Sequence, residues 1–221
     1  MRPGRGEKDV GDTGSERAAS PPLDPEDLAR ANLYGLVSRL FYEPADPNLL
    51  AEICHSEQAG EGRESDGGLV AAWRGLQEAC ASISPAAIRQ EYDDLLVGVG
   101  RAQVTPYLCG YAEPSAPDRH LVRLREQLAR LGFLRRSNAF EVEDHISALS
   151  DVMRLLIEEG HSLREQQSFF ASFVYPGAVA FFVAVQQAPA AGIYKVVAKF
   201  AHAFFEVEKE AFEMVDSIDS S

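Results

Sequence analysis

Apolar residues recur at three- and four-residue spacing through most of the chain, a period that predicts amphipathic helices. The clearest pattern covers residues 141–159, followed by residues 193–215, and both segments are long enough to cross a helical bundle. Shorter patterns between proline and glycine breaks predict further helices at 25–43, 48–55, 69–81, 85–97, 120–131, 162–174 and 178–187. No segment alternates with a period of two. The sequence therefore predicts an all-α fold, a single globular bundle of about eight or nine helices.

Several details of these helices follow from local chemistry. Asp24 and Ser84 each precede a proline, which is typical of a helix start. The run Tyr175-Pro176-Gly177 predicts a break between two helices, since proline removes a backbone donor. The last helix is expected to direct a periodic apolar set inward and to leave a solvated acidic face near its end. The predicted inward set is Val197, Phe200, Phe204, Val207, Ala211 and Met214.

The amino-acid composition predicts the domain boundaries and the cellular location of the protein. Residues 1–23 are rich in Gly, Ser, Pro and charge, so they are expected to form a disordered N-terminal tail, leaving 24–221 as one all-helical domain. At 46% hydrophobic residues, the chain can bury a substantial core. It contains no uninterrupted apolar run of about 18 residues, so no membrane-spanning helix is expected. The N-terminal arginines are not followed by an apolar segment, and a cytoplasmic location is therefore predicted.

The net charge of −13 disfavours binding to nucleic acids or to anionic membranes and suits a basic partner. The three cysteines are widely separated and form no C-x-x-C pair, which favours reduced thiols.

Catalytic and metal-binding patterns are weak. Glu-x-x-His occurs at Glu52/His55 and at Glu158/His161, a spacing used in di-iron bundles, but both pairs lie at predicted helix ends. Cys109 and His145 could pair only through the fold. We therefore predict no catalytic residue, no metal and no cofactor. A metal-dependent helical-bundle oxidoreductase and a generic helical interaction module stay open as alternatives.

One stretch does suggest recognition. Asp144-His145 stands at the predicted start of the strongest helix, where Asp144 would cap backbone amides and His145 would lie between core and cleft. The loop before it contains Tyr107 and Tyr111, which offer flat apolar contact, and Gly110, which allows a close backbone approach. These features predict a groove that binds a peptide.

These pieces together resemble the TorD/DmsD/NarJ-type chaperones that mature molybdenum-containing oxidoreductases. The resemblance rests on E-Y-x-x-L-L-x-G at 91–98, on the Pro-aromatic-x-x-Gly-aromatic loop at 106–111, and on Glu-Asp-His at 143–145. It covers about residues 28–215. The chain departs from the family at Tyr107-Leu108-Cys109, where Trp-x-Ser is frequent, and at Gly98-Val99, where Gly-Pro is frequent.

The resemblance implies a TorD-like, all-helical cytoplasmic chaperone rather than an enzyme. Such a protein binds the N-terminal signal region of a partner's catalytic subunit, often a twin-arginine signal, until the molybdenum cofactor is inserted. Contact with molybdenum-cofactor delivery proteins, and either a monomer or a domain-exchanged dimer, are compatible with it. The peptide-binding residues that it implies are Leu95, Gly98, Pro106, Tyr107, Gly110, Tyr111, Asp144 and His145.

Overall fold

A computed structural model of the chain describes residues 23–56, 67–98, 102–133 and 143–219. These residues form helices and connecting turns, with a single isolated β-bridge between Tyr107 and His145, and the all-α prediction is confirmed. The helices are α1 (Pro25–Tyr42), α2 (Pro47–His55), α3 (Gly67–Ser82), α4 (Pro85–Tyr92), α5 (Cys109–Ala112), α6 (Pro117–Arg130), α7 (Ile146–Glu158), α8 (Leu163–Phe169), α9 (Tyr175–Gln187) and α10 (Ile193–Asp219). The predicted tail, apart from Leu23, lies outside the described residues.

Two packed groups of helices make the bundle. Helix α1 packs against α7, while α10 packs against both α9 and α3. The core between them is strongly aromatic, and edge-to-face ring contacts such as Phe41–Phe181 at 5.2 Å and Tyr34–Phe204 at 4.8 Å join different helices. Rings of this size bury much apolar area, and their edge-to-face geometry adds a further attraction. The candidate site is therefore carried on a tightly packed frame.

The predicted helix starts at Asp24 and Ser84 are confirmed. The Asp24 carboxylate accepts from the Asp27 amide at 2.8 Å, and the Ser84 hydroxyl accepts from the Ala87 amide at 3.2 Å. Each cap satisfies an amide that has no partner within its own helix.

The predicted break at Tyr175-Pro176 is wrong. Helices α8 and α9 are continuous through a π-helical turn at Phe170–Val174, in which the Tyr175 amide donates to the Phe170 carbonyl. The wider turn brings Pro176 into the first turn of α9, where its missing N–H costs little. The helix therefore bends around proline without ending.

This continuous helix, Leu163–Gln187, is long and apolar enough to cross a bilayer by length and composition, and an 18-residue window within it has a mean hydropathy of 1.8. The criterion of an uninterrupted apolar run does not detect this helix, because polar residues such as Ser172 interrupt it. In the structure Phe169, Phe170, Phe181 and Phe182 from this helix are buried among other helices. These four rings thus place one side of the helix in the protein core.

Helix α10 directs a different face inward from the one predicted. Val197, Phe200 and Phe204 are buried as expected, but Val207 and Met214 are 41% and 60% exposed, and Ala211 is exposed. Their place is taken by Phe205, Glu208 and Phe212. Glu208, expected on a solvated acidic face, is only 2% exposed and carries a buried ion pair.

Helix α7 begins later than predicted. Residues 141 and 142 lie outside the described residues, and Glu143 and Asp144 form a turn before the helix. His145 is the N-cap residue, and the first helical residue is Ile146. Asp144 and His145 therefore precede the helix instead of occupying its first turn.

Candidate functional site

The loop before α5 is fastened to the turn before α7. The Leu108 amide donates to the Asp144 carbonyl at 2.8 Å, and the Ile146 amide donates to the Pro106 carbonyl at 3.0 Å. These two bonds place Tyr107 opposite His145 in an antiparallel bridge. Two segments that the sequence analysis assigned to one groove are thus joined through their backbones, although they are more than 30 residues apart.

Asp144 acts on the loop rather than on its own helix. Its side chain is buried, and its Oδ2 accepts from the Cys109 amide at 3.2 Å. Cys109 is the first residue of α5, so the carboxylate satisfies an amide that the short helix cannot. The expectation that Asp144 would cap amides of α7 is wrong, because the turn places its side chain across the interface.

His145 caps α7 in place of Asp144. Its Nδ1 accepts from the Ser147 amide at 3.2 Å, which assigns the ring proton to Nε2. The ring is 3% exposed, so it lies in the core instead of at the predicted boundary, and burial lowers the pKa of His145 to about 4. At neutral pH the imidazole is therefore uncharged, and it serves as a flat support.

Tyr107 rests on that support. Its ring centroid lies 5.5 Å from that of His145, with the planes at 77°, and the residue is 38% exposed. Gly110, the second residue of α5, is also exposed, and Tyr111 is half-buried with its ring 6.1 Å from the Phe181 ring. The aromatic rim that the sequence predicted thus reaches the surface at Tyr107, Gly110 and part of Tyr111.

Leu95, Gly98 and Pro106 lie behind this rim. Leu95 is fully buried in a π-helical turn at Asp93–Val97, and its carbonyl accepts from the Val104 amide at 3.1 Å. Gly98 ends the turn with φ 68°, a left-handed conformation that favours glycine. Pro106 is buried as well. These residues position the loop.

Gly177 was missed by the sequence analysis. A Cβ atom at this position on α9 would lie 2.6 Å from the carbonyl oxygen of Leu108, closer than real Cβ contacts. Glycine is therefore required for α9 to pass directly beneath the loop. Its place immediately after Tyr175-Pro176 was the available signal, but there it was interpreted as part of a helix break.

Glu113 and Glu143 also belong to the site's frame. Glu113, just after α5, pairs with Arg119 at 3.0 Å and also contacts Arg123. Glu143 pairs with Arg125 at 3.1 Å. Three arginines of α6 therefore form ion pairs with carboxylates on the two sides of the loop. These ion pairs hold α6 against the site.

The catalytic alternatives find little support in this geometry. Burial, followed by the charge of Asp144, raises the pKa of the Cys109 thiol to about 12, which is unfavourable for a nucleophile. Glu52 pairs with Arg39 and Glu158 with Arg154. Within the described ranges, no group of three or more His, Cys, Asp or Glu residues is arranged to hold a metal ion.

Comparison with known proteins identifies the family. The family model of the nitrate reductase delta subunit matches residues 63–182, which is more than half of the chain and spans α3 to most of α9. The match includes both segments of the fastened loop. The chain belongs to this family of redox-enzyme maturation chaperones. Its partner is accordingly a redox enzyme.

A solved structure is also similar. It is a protein from Archaeoglobus fulgidus provisionally named a redox enzyme maturation protein, 20% identical, with a TM-score of 0.48, and the alignment covers 80% of this chain and 92% of that one. No curated protein matches this chain.

Proposed function

We propose that this protein is a cytoplasmic chaperone that binds the N-terminal, twin-arginine-type signal region of a molybdenum-containing oxidoreductase catalytic subunit. Binding would hold the subunit back until its cofactor is inserted, before export or assembly. The protein itself would perform no catalytic step. Molybdenum-cofactor delivery proteins are further partners in this proposal, which does not depend on whether the chaperone is a monomer or a domain-exchanged dimer.

The observation that carries the proposal is an exposed aromatic ring on a rigid base. Tyr107 is 38% exposed, yet its backbone neighbours are fixed by two hydrogen bonds and its ring lies against the buried His145. An exposed ring that is already ordered loses little conformational entropy when an apolar side chain covers it. This is the arrangement expected of a binding anchor.

We divide the eight candidate residues into three groups according to their positions. Tyr107, Gly110 and Tyr111 reach the surface and are the proposed peptide contacts. Asp144 and His145 are buried beneath them and are the proposed positioning residues, because they cap α5 and α7 and so fix the loop. Leu95, Gly98 and Pro106 support the loop from behind. A negative net charge of −13 further favours a peptide that carries arginine.

Calorimetric titration with a twin-arginine signal peptide tests the proposal. Tyr107→Ala should weaken binding by about tenfold or more, since truncating an aromatic anchor costs roughly 1–2 kcal/mol or more. Val207→Ala is the matched control, because Val207 is similarly exposed on α10 and lies outside the site. Asp144→Ala should also weaken binding, through displacement of the loop.

Two results would contradict the proposal in different ways. If the wild-type protein bound no oxidoreductase signal region, the function itself would be wrong. If it bound such a peptide but Tyr107→Ala and Asp144→Ala both left the affinity unchanged, the function would stand and the binding surface would lie elsewhere.

A further inference from the structure

A small cleft opens beside the start of α7. It lies between the C-terminal end of α1, the turn that leads into α2, and the side chain of Asp151 on α7, and it has a volume of about 230 Å³. This is smaller than the roughly 300–1,000 Å³ of sites for drug-sized ligands. The cleft therefore suits a single long side chain better than a cofactor.

The charged residues of the lining are mainly acidic. Glu43, Asp46 and Asp151 contribute carboxylates, against one guanidinium from Arg39. Arg39 pairs with Glu52 at 2.9 Å. Asp46 uses Oδ1 to cap α2, and Asp151 uses Oδ1 to pair with Arg154 at 3.1 Å. Each of these two carboxylates thus has a second oxygen for a further donor, and the cleft favours a cation.

The half-exposed ring of Tyr42 forms part of the wall, and a flat guanidinium can stack on such a ring.

A second observation also points to a ligand. Ser38 lines the same cleft and is 94% buried, being 6% exposed, yet its hydroxyl makes no hydrogen bond to any part of the chain that the structure describes. A buried hydroxyl on a helix commonly bonds to the carbonyl one turn earlier or to a neighbouring side chain. An acceptor oxygen left unused in an acidic cleft is complementary to an incoming N–H donor.

The cleft lies further along α7 than the aromatic rim, at an axial distance that a short peptide can span. Helices α1 and α7 lie side by side, with Gly35 against Arg154 and Ser38 facing the same cleft as Asp151. Asp151 follows His145 by six positions, a rise of about 9 Å along the helix axis. Ala148, halfway between them, is small and only half-buried. About three residues of extended peptide, at roughly 3.3 Å each, span this distance.

We infer that this cleft is the subsite for an arginine side chain of the peptide whose apolar portion covers Tyr107. The inference rests on the proposed function, since it assigns a second contact to the same bound peptide. The guanidinium would donate to Asp151, Glu43 and the Ser38 hydroxyl, and its plane would lie against Tyr42. The order along the peptide would be arginine at the cleft and an apolar residue about three positions away at the rim.

A double-mutant cycle between protein and peptide tests the inference. The protein variant is Glu43→Gln/Asp151→Asn, and the peptides are a twin-arginine signal peptide and the same peptide with both arginines replaced by alanine. The variant should bind the arginine peptide about tenfold more weakly than wild type does. The variant and the wild-type protein should bind the alanine peptide equally well, because that peptide has no guanidinium to pair with the removed carboxylates.

Glu158→Gln/Glu159→Gln is the matched control. It changes net charge by the same amount, and Glu158→Gln also removes a partner of Arg154, since Glu158 pairs with that arginine from one turn further along α7. Because neither Glu158 nor Glu159 lines the cleft, this control should keep the wild-type affinity for the arginine peptide. Thermal unfolding of each variant verifies that the fold is retained.

The outcomes separate the two proposals. Equal loss for both peptides, no loss for either, or equal loss in test and control variants would overturn the arginine subsite while the signal-peptide function stood. Absence of any binding by the wild-type protein would overturn both.

Discussion

Two buried carboxylates, Glu208 and Asp144, hold helices together in different ways. Glu208 on α10 accepts a bidentate pair of bonds from the Arg30 side chain, at 2.8 and 3.0 Å, and a third bond from the Tyr34 hydroxyl at 2.9 Å. Asp144 accepts from the backbone amide of Cys109, the first residue of a four-residue helix. One carboxylate joins long helices through side chains, whereas the other fixes a short loop through its backbone.

The surroundings of Glu208 are closed. Arg30 also donates to Asp27 and to Gln166, and its guanidinium lies 5.4 Å from the centroid of the Phe212 ring. Although burial alone would lower it, contact with Glu208 raises the pKa of Arg30, so the guanidinium remains charged. The Asp144 region differs because the backbone hydrogen bonds there hold a residue, Tyr107, whose ring is exposed to solvent. A closed network is suited to stability, and an anchored but exposed ring is suited to recognition.

The largest expected effect is on the closed network. Glu208→Ala leaves the guanidinium of Arg30 buried without its main partner, and we expect the free energy of unfolding to fall by about 3–5 kcal/mol. Chemical denaturation measures this loss. Glu210→Ala, on the exposed face of the same helix, is the control and should change stability by less than about 0.5 kcal/mol. If the free energy of unfolding fell by similar amounts in the two variants, the buried ion pair of Glu208 would contribute no more to stability than an exposed glutamate does.

The sequence made part of this contrast predictable. Helical periodicity gave the fold class, and the position of Glu208 four residues after Phe204 and four before Phe212 could have placed it inside. It was assigned to a solvated face because it lies within an acidic run, and a buried glutamate is unusual unless it is paired. Its partner Arg30 is 178 positions away, so local pattern could not reveal the pairing.

The candidate site shows the same limit. The residues of the loop and of the α7 start were recognisable as sequence motifs, and the structure joins the two segments. The roles within them were not predictable, because the acceptor for the Cys109 amide depends on how the turn at 143–145 crosses the interface. Likewise, Pro176 resembles a helix end in sequence, and only the π-helical turn before it explains why α8 and α9 continue.

The free energy of unfolding should depend on pH through His145, which lies next to Asp144. Burial lowers the pKa of His145 from 6.5 to about 4, so between these values the unfolded chain binds more protons than the folded one. The contribution of His145 to the free energy of unfolding is therefore fully present above about pH 6.5, and it is lost as the pH falls toward 4. The full loss is at most about 3 kcal/mol.

Unfolding free energies from pH 4 to 7 measure the effect of His145. His145→Asn keeps an N-cap side chain for α7 but does not titrate, and the difference between wild type and variant isolates the histidine. His120, whose pKa burial also lowers, is present in both proteins and cancels. A difference that did not change with pH would mean that the imidazole is not excluded from protonation.

Loop packing on α9 gives a smaller and more local effect. Gly177→Ala adds a methyl group 2.6 Å from the Leu108 carbonyl oxygen, so the loop must move outward. We expect about 1–3 kcal/mol of destabilisation and weaker signal-peptide binding. Gly68→Ala on α3 is the control, since a Cβ there meets nothing within 4 Å and the residue lies outside the candidate site. An equal loss of stability in both would show that glycine at 177 is not required by close approach.

The most local test concerns the Cys109 thiol. Asp144→Asn keeps an acceptor for the Cys109 amide but removes the negative charge that, after burial, raises the pKa of that thiol. The pKa should fall, and alkylation at pH 8 should become faster because more thiolate is present. Cys80→Ser in both backgrounds leaves fewer competing thiols. Stability should change by only about 1 kcal/mol, since one charged acceptor is exchanged for a neutral one. An unchanged alkylation rate would mean that burial alone protects Cys109, and Asp144 would then act on the loop only through its hydrogen bond to the backbone.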